Sequence, residues 1–485
     1  MKWRTLTTIL LAATLLLSFD GNINRSVFHS DLAGIYSKAQ DNNTEIRKYS
    51  SSDDTYADSQ WYIENPGYYT KYSYEAVKKL SSNKGIDLNV SKAWDYIKQT
   101  GKATHEVIVA VIDTGIDYNH PDLANNMWRN SGEIAGDNID NDHNGYIDDV
   151  YGWDFYNHDA SVCDYEQNSS QVKTASPEDN DNHGTHVAGI IAAVANNNIG
   201  IAGIASDIDI KIMSLKVNGG KDGSGSMEDA VAAIKYAEKM GATICNISWG
   251  ALGYTNELKN AIKQSNMLFV AAAGNFSDDN DKKPVYPASF QFDNMISVTA
   301  VNAQGELGHK ANYGLGTVDV AAPGINIYST IVGGYGYMSG TSMAAPQVTA
   351  IAALLYSSHD YIEASEAKDI ILNSVKTLPE LKGLIKNAGI PDAYQLLMNS
   401  GVSEKVNKFD PVNREDDQKN LNNESSVVNS VVRIIIFGTE DMLPVENSFL
   451  TVDLLGKLNA TLKVTVHAKG CTLTDRDRCL LYRRI

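Results

Sequence analysis

Three segments of this chain place a carboxylate, an imidazole and a hydroxyl where each could take part in acid–base or nucleophilic chemistry. The apolar run that ends in Asp113-Thr114-Gly115 puts a carboxylate at the carboxyl end of a strand. Open α/β sheets build their sites there, although an N-cap or turn Asp gives the same local pattern. His183-Gly-Thr-His186-Val-Ala-Gly189 leads into an apolar stretch, so His183 lies near a helix start and can exchange protons. The spacing of His183 and His186 also suits a metal pair, but the Glu of the zinc-protease motif is missing between them. Ser342 has a Gly-rich approach and small residues after it, which leaves room for a substrate backbone; a plain N-cap Ser is the alternative, and Pro346 suits the first turn of a helix. A serine is a poor nucleophile until an imidazole takes its proton, and that imidazole needs a carboxylate to fix its tautomer. Asp113, His183 and Ser342 together would supply all three.

The elements that must position these groups are legible as alternating periods. Strands are predicted at 106–112, 210–217, 243–248, 267–273, 295–300 and 317–320, each rich in Val, Ile or Ala. Between them, 227–240 and 256–266 carry apolar residues at helical spacing, with Ser226 and Asp229 as a capping box. This pattern predicts a doubly wound α/β fold, a mostly parallel sheet with helices on both faces, over residues 56–398. Residues 21–55 are polar and read as a short pro-segment or spacer, 399–430 as a linker, and 431–485 as a small, β-rich C-terminal extension. Residues 1–20 carry Lys2 and Arg4 before an apolar run, the layout of a secretory signal; no small-x-small cleavage site follows, so an anchor is the alternative.

Composition narrows the partners. With 41 Lys and Arg against 59 Asp and Glu, the net charge of −18 repels nucleic acid and anionic lipid. A membrane is expected as a partner only if the N-terminal segment is retained. Four cysteines are too few for a disulfide framework: Cys471 and Cys479 could pair, and Cys245 reads as a buried, inert thiol.

The strings VIDTGID, HGTHVAG and GTSMAAP resemble the three signature segments of the subtilisin-like serine protease family, in that family's order of Asp, His and Ser. The resemblance implies a secreted, monomeric serine endopeptidase that hydrolyses polypeptides through an acyl-enzyme. It would be a degradative enzyme or a dedicated processing one; a non-catalytic peptide-binding homologue is the rival from another class. The resemblance assigns the nucleophile to Ser342, the base to His183, the orienting carboxylate to Asp113 and an oxyanion donor to Asn275. His186 becomes structural. Ser248-Trp249-Gly250, Val217, Gly219 and Gly274 resemble the edges that receive substrate as an added strand, Trp249 being equally readable as packing.

The family also binds structural calcium, and Asp122 and Asn197, with the carbonyls of Ala195, Ile199 and Ile201, match those ligands. Residues 127–180 read as an insertion. Within it Asp140, Asp142, Asn144 and Tyr146 follow EF-hand spacing with Gly145 at the turn, but Tyr151 stands where the bidentate Glu belongs. Calcium is therefore expected at both places and no cofactor for catalysis. Gln347 replaces the His that often follows the motif's Pro, a change that touches packing.

Overall fold

The structure is a computed structural model that describes residues 52–73, 76–101, 103, 105–163, 182–219 and 223–400, together with the backbone of 449–453 and 463–467. In chain order, β1 (Tyr68–Tyr72), β2 (Val77–Ser81) and α1 (Val90–Thr100) precede β3 (Val107–Asp113), β4 (Gly152–Asp154), α2 (Asn182–Ala192) and β5 (Ile210–Lys216). Then come the short pair β6 (Asn218–Gly219) and β7 (Ser224–Gly225), α3 (Met227–Lys239), β8 (Ile244–Ile247), α4 (Asn256–Gln264), β9 (Leu268–Ala272), β10 (Met295–Val301) and β11 (Val320–Pro323). The hairpin of β12 (Ile327–Ile331) and β13 (Gly334–Met338) leads to α5 (Thr341–Ser357), α6 (Ala364–Asn373), β14 (Val375–Thr377), β15 (Gly389–Pro391) and α7 (Ala393–Ser400).

Seven strands form one parallel sheet in the order β11-β10-β9-β8-β3-β5-β4, as the alternating pattern predicts for a doubly wound fold. From β3 the chain goes to the edge strand β4, returns through β5 beside β3, then crosses to β8 on the other side and runs outward to β11, so the two halves of the sheet divide at β3. At such a division the loops on the carboxyl side of the sheet part and leave a crevice. Successive residues of β3 feed opposite layers. Val109 and Val111 pack with α2 and α5, while Ala110 and Ile112 pack with α3 and α4. With both faces covered, the strands read as continuous apolar runs rather than alternating ones.

Three boundaries differ from the sequence reading. The strand expected at 317–320 begins only at Val320 and ends on Pro323; because β11 is the sheet's edge, the missing proline N–H leaves no ladder bond unmade. The insertion 127–180 supplies the opposite edge, β4, and Met127 bridges Ile212 of β5 just before it. Asp54 and Thr55 bond to the loop at 196–198, so the folded unit reaches below residue 56. The helices expected at 227–240 and 256–266 form, with Ser226 and Thr255 accepting from the backbone N–H groups of Asp229 and Leu258. Cys245 is buried, and burial pushes its thiol far above the ordinary range.

The second unit, 407–485, contains an antiparallel pair of β16 (Phe449–Asp453) and β17 (Lys463–His467) among its described residues. The signal or anchor, most of the linker, and Cys471 and Cys479 lie outside the described residues. Among the described residues no helix is long and apolar enough to cross a membrane.

Leu268, fully buried in the centre of the sheet, contributes to the layer beneath α5. Leu268→Ala is expected to cost about 2–5 kcal/mol of unfolding free energy, read as a lowered midpoint in denaturant at unchanged slope.

Candidate active site

β3 ends on Asp113, whose carboxylate is only 1% exposed. Its Oδ1 accepts from the Thr114 N–H at 2.8 Å and bonds to His183 Nδ1 at 2.7 Å, whereas Oδ2 is buried with no hydrogen-bond partner. His183 is the second residue of α2. The helix start is seated by the Gly184 N–H donating to Thr114 Oγ1 at 3.1 Å, and a Cβ on Gly184 would lie 2.2 Å from the Gly115 carbonyl oxygen. Burial by itself would push the His183 imidazole down; the charge of Asp113 and its hydrogen bond outweigh this, and the net shift is upward. With Nδ1–H held by Asp113, the lone pair of the neutral ring sits on Nε2.

His186 faces elsewhere. Its Nε2 donates to the Ile327 and Gly336 carbonyls, and burial together with the neighbouring His183 holds its pKa down to about 3. It is a neutral strut between α2 and the β12–β13 hairpin, and the two rings do not form a metal pair.

Ser342 is the second residue of α5, preceded by Gly340 at φ 153, a conformation open to glycine. Pro346 is the sixth residue of α5 and not in its first turn. Having no N–H, it leaves the Ser342 carbonyl without its donor four residues on. Ser248, just past β8, makes good the loss: its Oγ donates to the Ser342 carbonyl at 2.9 Å. In return Ser342 Oγ donates to the Ser248 carbonyl at 2.8 Å and not to the imidazole. Beside this pair, Trp249 Nε1 donates to the Ile112 carbonyl at 3.0 Å, so the β8 end is tied both to the residue before Asp113 and to Ser342. The Trp249 ring packs, half-buried, against the core layer that holds Ile112. Gln347 is buried and ties α5 to the β11 end through Nε2 and the Pro323 carbonyl.

Asn275 follows β9 and is exposed. Its Oδ1 accepts the Thr341 N–H at 2.9 Å, which orients the amide: the atom facing an N–H must be oxygen, so Nδ2 is presented on the other side. Thr341 Oγ1, fully buried, accepts from the Gly274 N–H and lies 3.2 Å from Asn275 Oδ1. Asn312 clamps the same loop, accepting from Phe276 and Asp278 and donating to the Ala273 carbonyl. Sequence reasoning missed Thr341 and Asn312, which carry no signal beyond being small polar residues. The Ser342 N–H, in the first turn of α5, has no carbonyl to bond within the helix, and the positive end of the helix dipole adds to it.

Glycines line the adjoining cleft. Gly250 is exposed, and a Cβ there would meet Val285 Cγ1 at 2.6 Å; a Cβ on Gly274, at φ 108, would meet Asn312 Nδ2 at the same distance. Val285 therefore stands between the two glycine-bearing segments. On the other flank Val217 is buried with its N–H on the Asp113 carbonyl, and Gly219 is covered by the Tyr156 ring.

The profile of the subtilase family matches residues 104–408, more than half of the 485-residue chain. The chain belongs to the subtilase family. It is 32% identical over 340 residues to subtilisin-like protease 1 of Plasmodium falciparum, covering 63% of this chain and 47% of that one. To the thermophilic serine proteinase of a Bacillus species it is 39% identical over 269 residues, 55% of each chain. It thus spans about half the length of the curated relatives it matches. Among solved structures, a protease from Pseudoalteromonas arctica aligns with a TM-score of 0.52 at 28% identity, covering 72% of this chain and 100% of that one.

In this subtilase the two expected calcium regions bring carboxylates together. Asp122 is fully buried; Oδ1 accepts from Asn197 Nδ2 and Oδ2 from the Ile201 N–H and the Tyr335 hydroxyl. Burial, with repulsion from Asp54, pushes its carboxyl up to about 6. Asp54, only 6% exposed and absent from the sequence reading, accepts from the Asn196 and Asn197 N–H groups. Two buried acids from separate segments, both bonded to the 196–201 loop, suit a hard dication. Asn197 presents nitrogen to Asp122, while its Oδ1 is held by the Ile199 N–H, so the carboxylates and carbonyls are the better donors. In the second region Glu133 joins Asp140 and Asp142, with carboxylate oxygens all within 4.8 Å of one another. Glu133 thus supplies the acid that Tyr151 does not. Asn144 turns Nδ2 to Asp142 and Asp149, and the Tyr146 ring packs on Trp153 and Tyr236, which leaves Tyr146 only its carbonyl as a ligand.

An NMR titration of His183 is expected to give a midpoint above the ordinary value near 6.5. Asp113→Asn, which removes the charge, is expected to move that midpoint downward; a parent midpoint below 6.5 would contradict the balance described.

Proposed function

We propose that this subtilase is a secreted serine endopeptidase in which Asp113, His183 and Ser342 form the catalytic triad. The observation that carries the reading is the 2.7 Å bond between Asp113 and His183 Nδ1, beside a Ser342 laced to the neighbouring β8 end. Rotation about the Ser342 Cα–Cβ bond carries Oγ off the Ser248 carbonyl and toward Nε2, a side-chain step of the picosecond to nanosecond class. Oγ then bonds to the scissile carbonyl carbon as its proton passes to Nε2. The oxygen that becomes negative is met by Asn275 Nδ2 and the Ser342 N–H. Collapse breaks the C–N bond, and the leaving amine takes the proton from Nε2. Water repeats the sequence on the acyl-enzyme, releasing the acid and restoring Ser342.

An extended peptide is proposed to pair along Ser248–Gly250 on one side and Val217–Gly219 on the other, with Val285 limiting the depth available to a side chain between Gly250 and Gly274. Export rests on the pattern of residues 1–20. Calcium is proposed at Asp54 and Asp122, with Asn197 and the carbonyls of Ala195, Ile199 and Ile201. A second ion is proposed at Glu133, Asp140 and Asp142, with Asn144 and the Tyr146 carbonyl. Its contribution in both places is structural: it would cancel clustered negative charge and bind segments remote in sequence.

A fluorophosphonate probe is expected to label the parent enzyme and not Ser342→Ala; equal labelling would rule the nucleophile out. Asn275→Ala is expected to lower kcat by about 10²–10³, the magnitude known for subtilisin itself and borrowed from it. Calcium at a hundredfold excess over its dissociation constant adds about 2.7 kcal/mol of stability per site, so a chelator is expected to lower the melting temperature, and less so in Asp54→Asn. An identical melting curve with and without chelator would remove both ions from the account.

A further inference from the structure

The reciprocal pair between Ser248 and Ser342 does not stand alone. Behind Ser248 lies a buried chain: Thr349 Oγ1 donates to Asn246 Oδ1 at 2.8 Å, Asn246 Nδ2 donates to Ser248 Oγ at 2.9 Å, and Ser248 Oγ donates to the Ser342 carbonyl at 2.9 Å. Thr349 and Asn246 are fully buried and Ser248 is 3% exposed. Asn246 is in β8, paired with Val111 on one side and Val270 on the other, on the sheet face that α5 covers. Thr349 is in the third turn of α5, about two turns on from Ser342.

We propose that Thr349 is a positioning residue of the active site, whose hydroxyl sets the direction of this chain and so holds the carbonyl of the nucleophile. The inference rests on the protease reading above. A hydroxyl has one proton. Ser248 gives it to Ser342 because the amide beside it presents a donor and not an acceptor. An amide is nearly symmetric in shape, and Asn246 could equally present its oxygen to Ser248. In that orientation Ser248 would donate to Asn246, and the Ser342 carbonyl, which Pro346 deprives of a helical donor, would lose its partner. The Thr349 hydroxyl biases the choice: while it donates to Asn246 it needs Oδ1 there and Nδ2 toward Ser248, and the other orientation would make it accept from Nδ2 and turn its proton back to its own helix. Thr349 could have bonded back to a carbonyl of its own helix, as buried helical threonines do. Its proton is spent on Asn246 instead, which couples the third turn of α5 to the first.

The test compares Thr349→Val, which keeps shape and volume but loses the donor, with Thr349→Ser, which keeps the donor. In Thr349→Val, kcat on a peptide substrate is expected to fall about five- to tenfold with KM within about twofold of the parent. Thr349→Ser is expected to restore kcat to within about twofold of the parent. Because the effect travels through Ser248, adding Thr349→Val to Ser248→Ala is expected to lower kcat no further. Unchanged turnover in Thr349→Val would overturn the proposal. So would a loss in both valine and serine variants, or a loss of equal factor in the Ser248→Ala background, each marking mere packing. Absence of fluorophosphonate labelling at Ser342 in the parent would overturn the protease reading and this inference with it, and so separates the two failures.

Discussion

A charge at the end of a buried strand is the constraint around which this molecule is arranged. Removing a carboxylate from water is tolerated when hydrogen bonds and a partner answer it, and Asp113 has only one answered oxygen. The unanswered oxygen leaves negative potential directed at the ring that shares the site. Delivering that ring requires α2 to begin within touching distance of β3, which explains why Gly184 meets the Gly115 carbonyl with no room for a side chain. It also requires α2 to be immobile. Ser329 and Thr330 of β12 donate to the His186 and Thr185 carbonyls, and His186 returns a bond from the helix to the same hairpin.

The serine side is held by a different device. Proline inside a helix usually counts as a defect because it strands a carbonyl. Here the stranded carbonyl belongs to Ser342, and its orphan state is what allows a hydroxyl from β8 to grip the start of α5. A helix with its bonding complete would have no reason to be fastened at that point. The loop bearing Asn275 is fastened in turn to Thr341, so two separate strand ends, those of β8 and β9, are tied to one helical turn.

Much of this was visible in the residues. Apolar runs marked five sheet strands closely because both faces of the sheet are covered, and Ser226 marked the start of α3 because cap chemistry is local. The strand ending in Asp113 and the helix starts at His183 and Ser342 came from the same local signals. What escaped depends on contacts between distant segments. β4 has one Trp flanked by Gly and Asp, and only its neighbour β5 makes it a strand. Asp54 gains meaning from a loop beyond residue 195, Glu133 from acids seven and nine residues later. Asn246 and Thr349 interrupt apolar runs and would pass as tolerated polar substitutions; their alignment exists only when β8 lies under α5. Pro346 was misplaced for a related reason, since nothing local announces that a hydroxyl from another element will excuse it.

Both borders of the large sheet are short strands. β4 and the Met127 bridge cover β5 for part of its length, and on the far side β11 stops at a proline. If extended peptides pair in the crevice as proposed, any other unoccupied strand edge would compete for them or recruit a second copy of the chain. Short, blunted borders would leave the crevice above β3 as the place where an extended chain can pair.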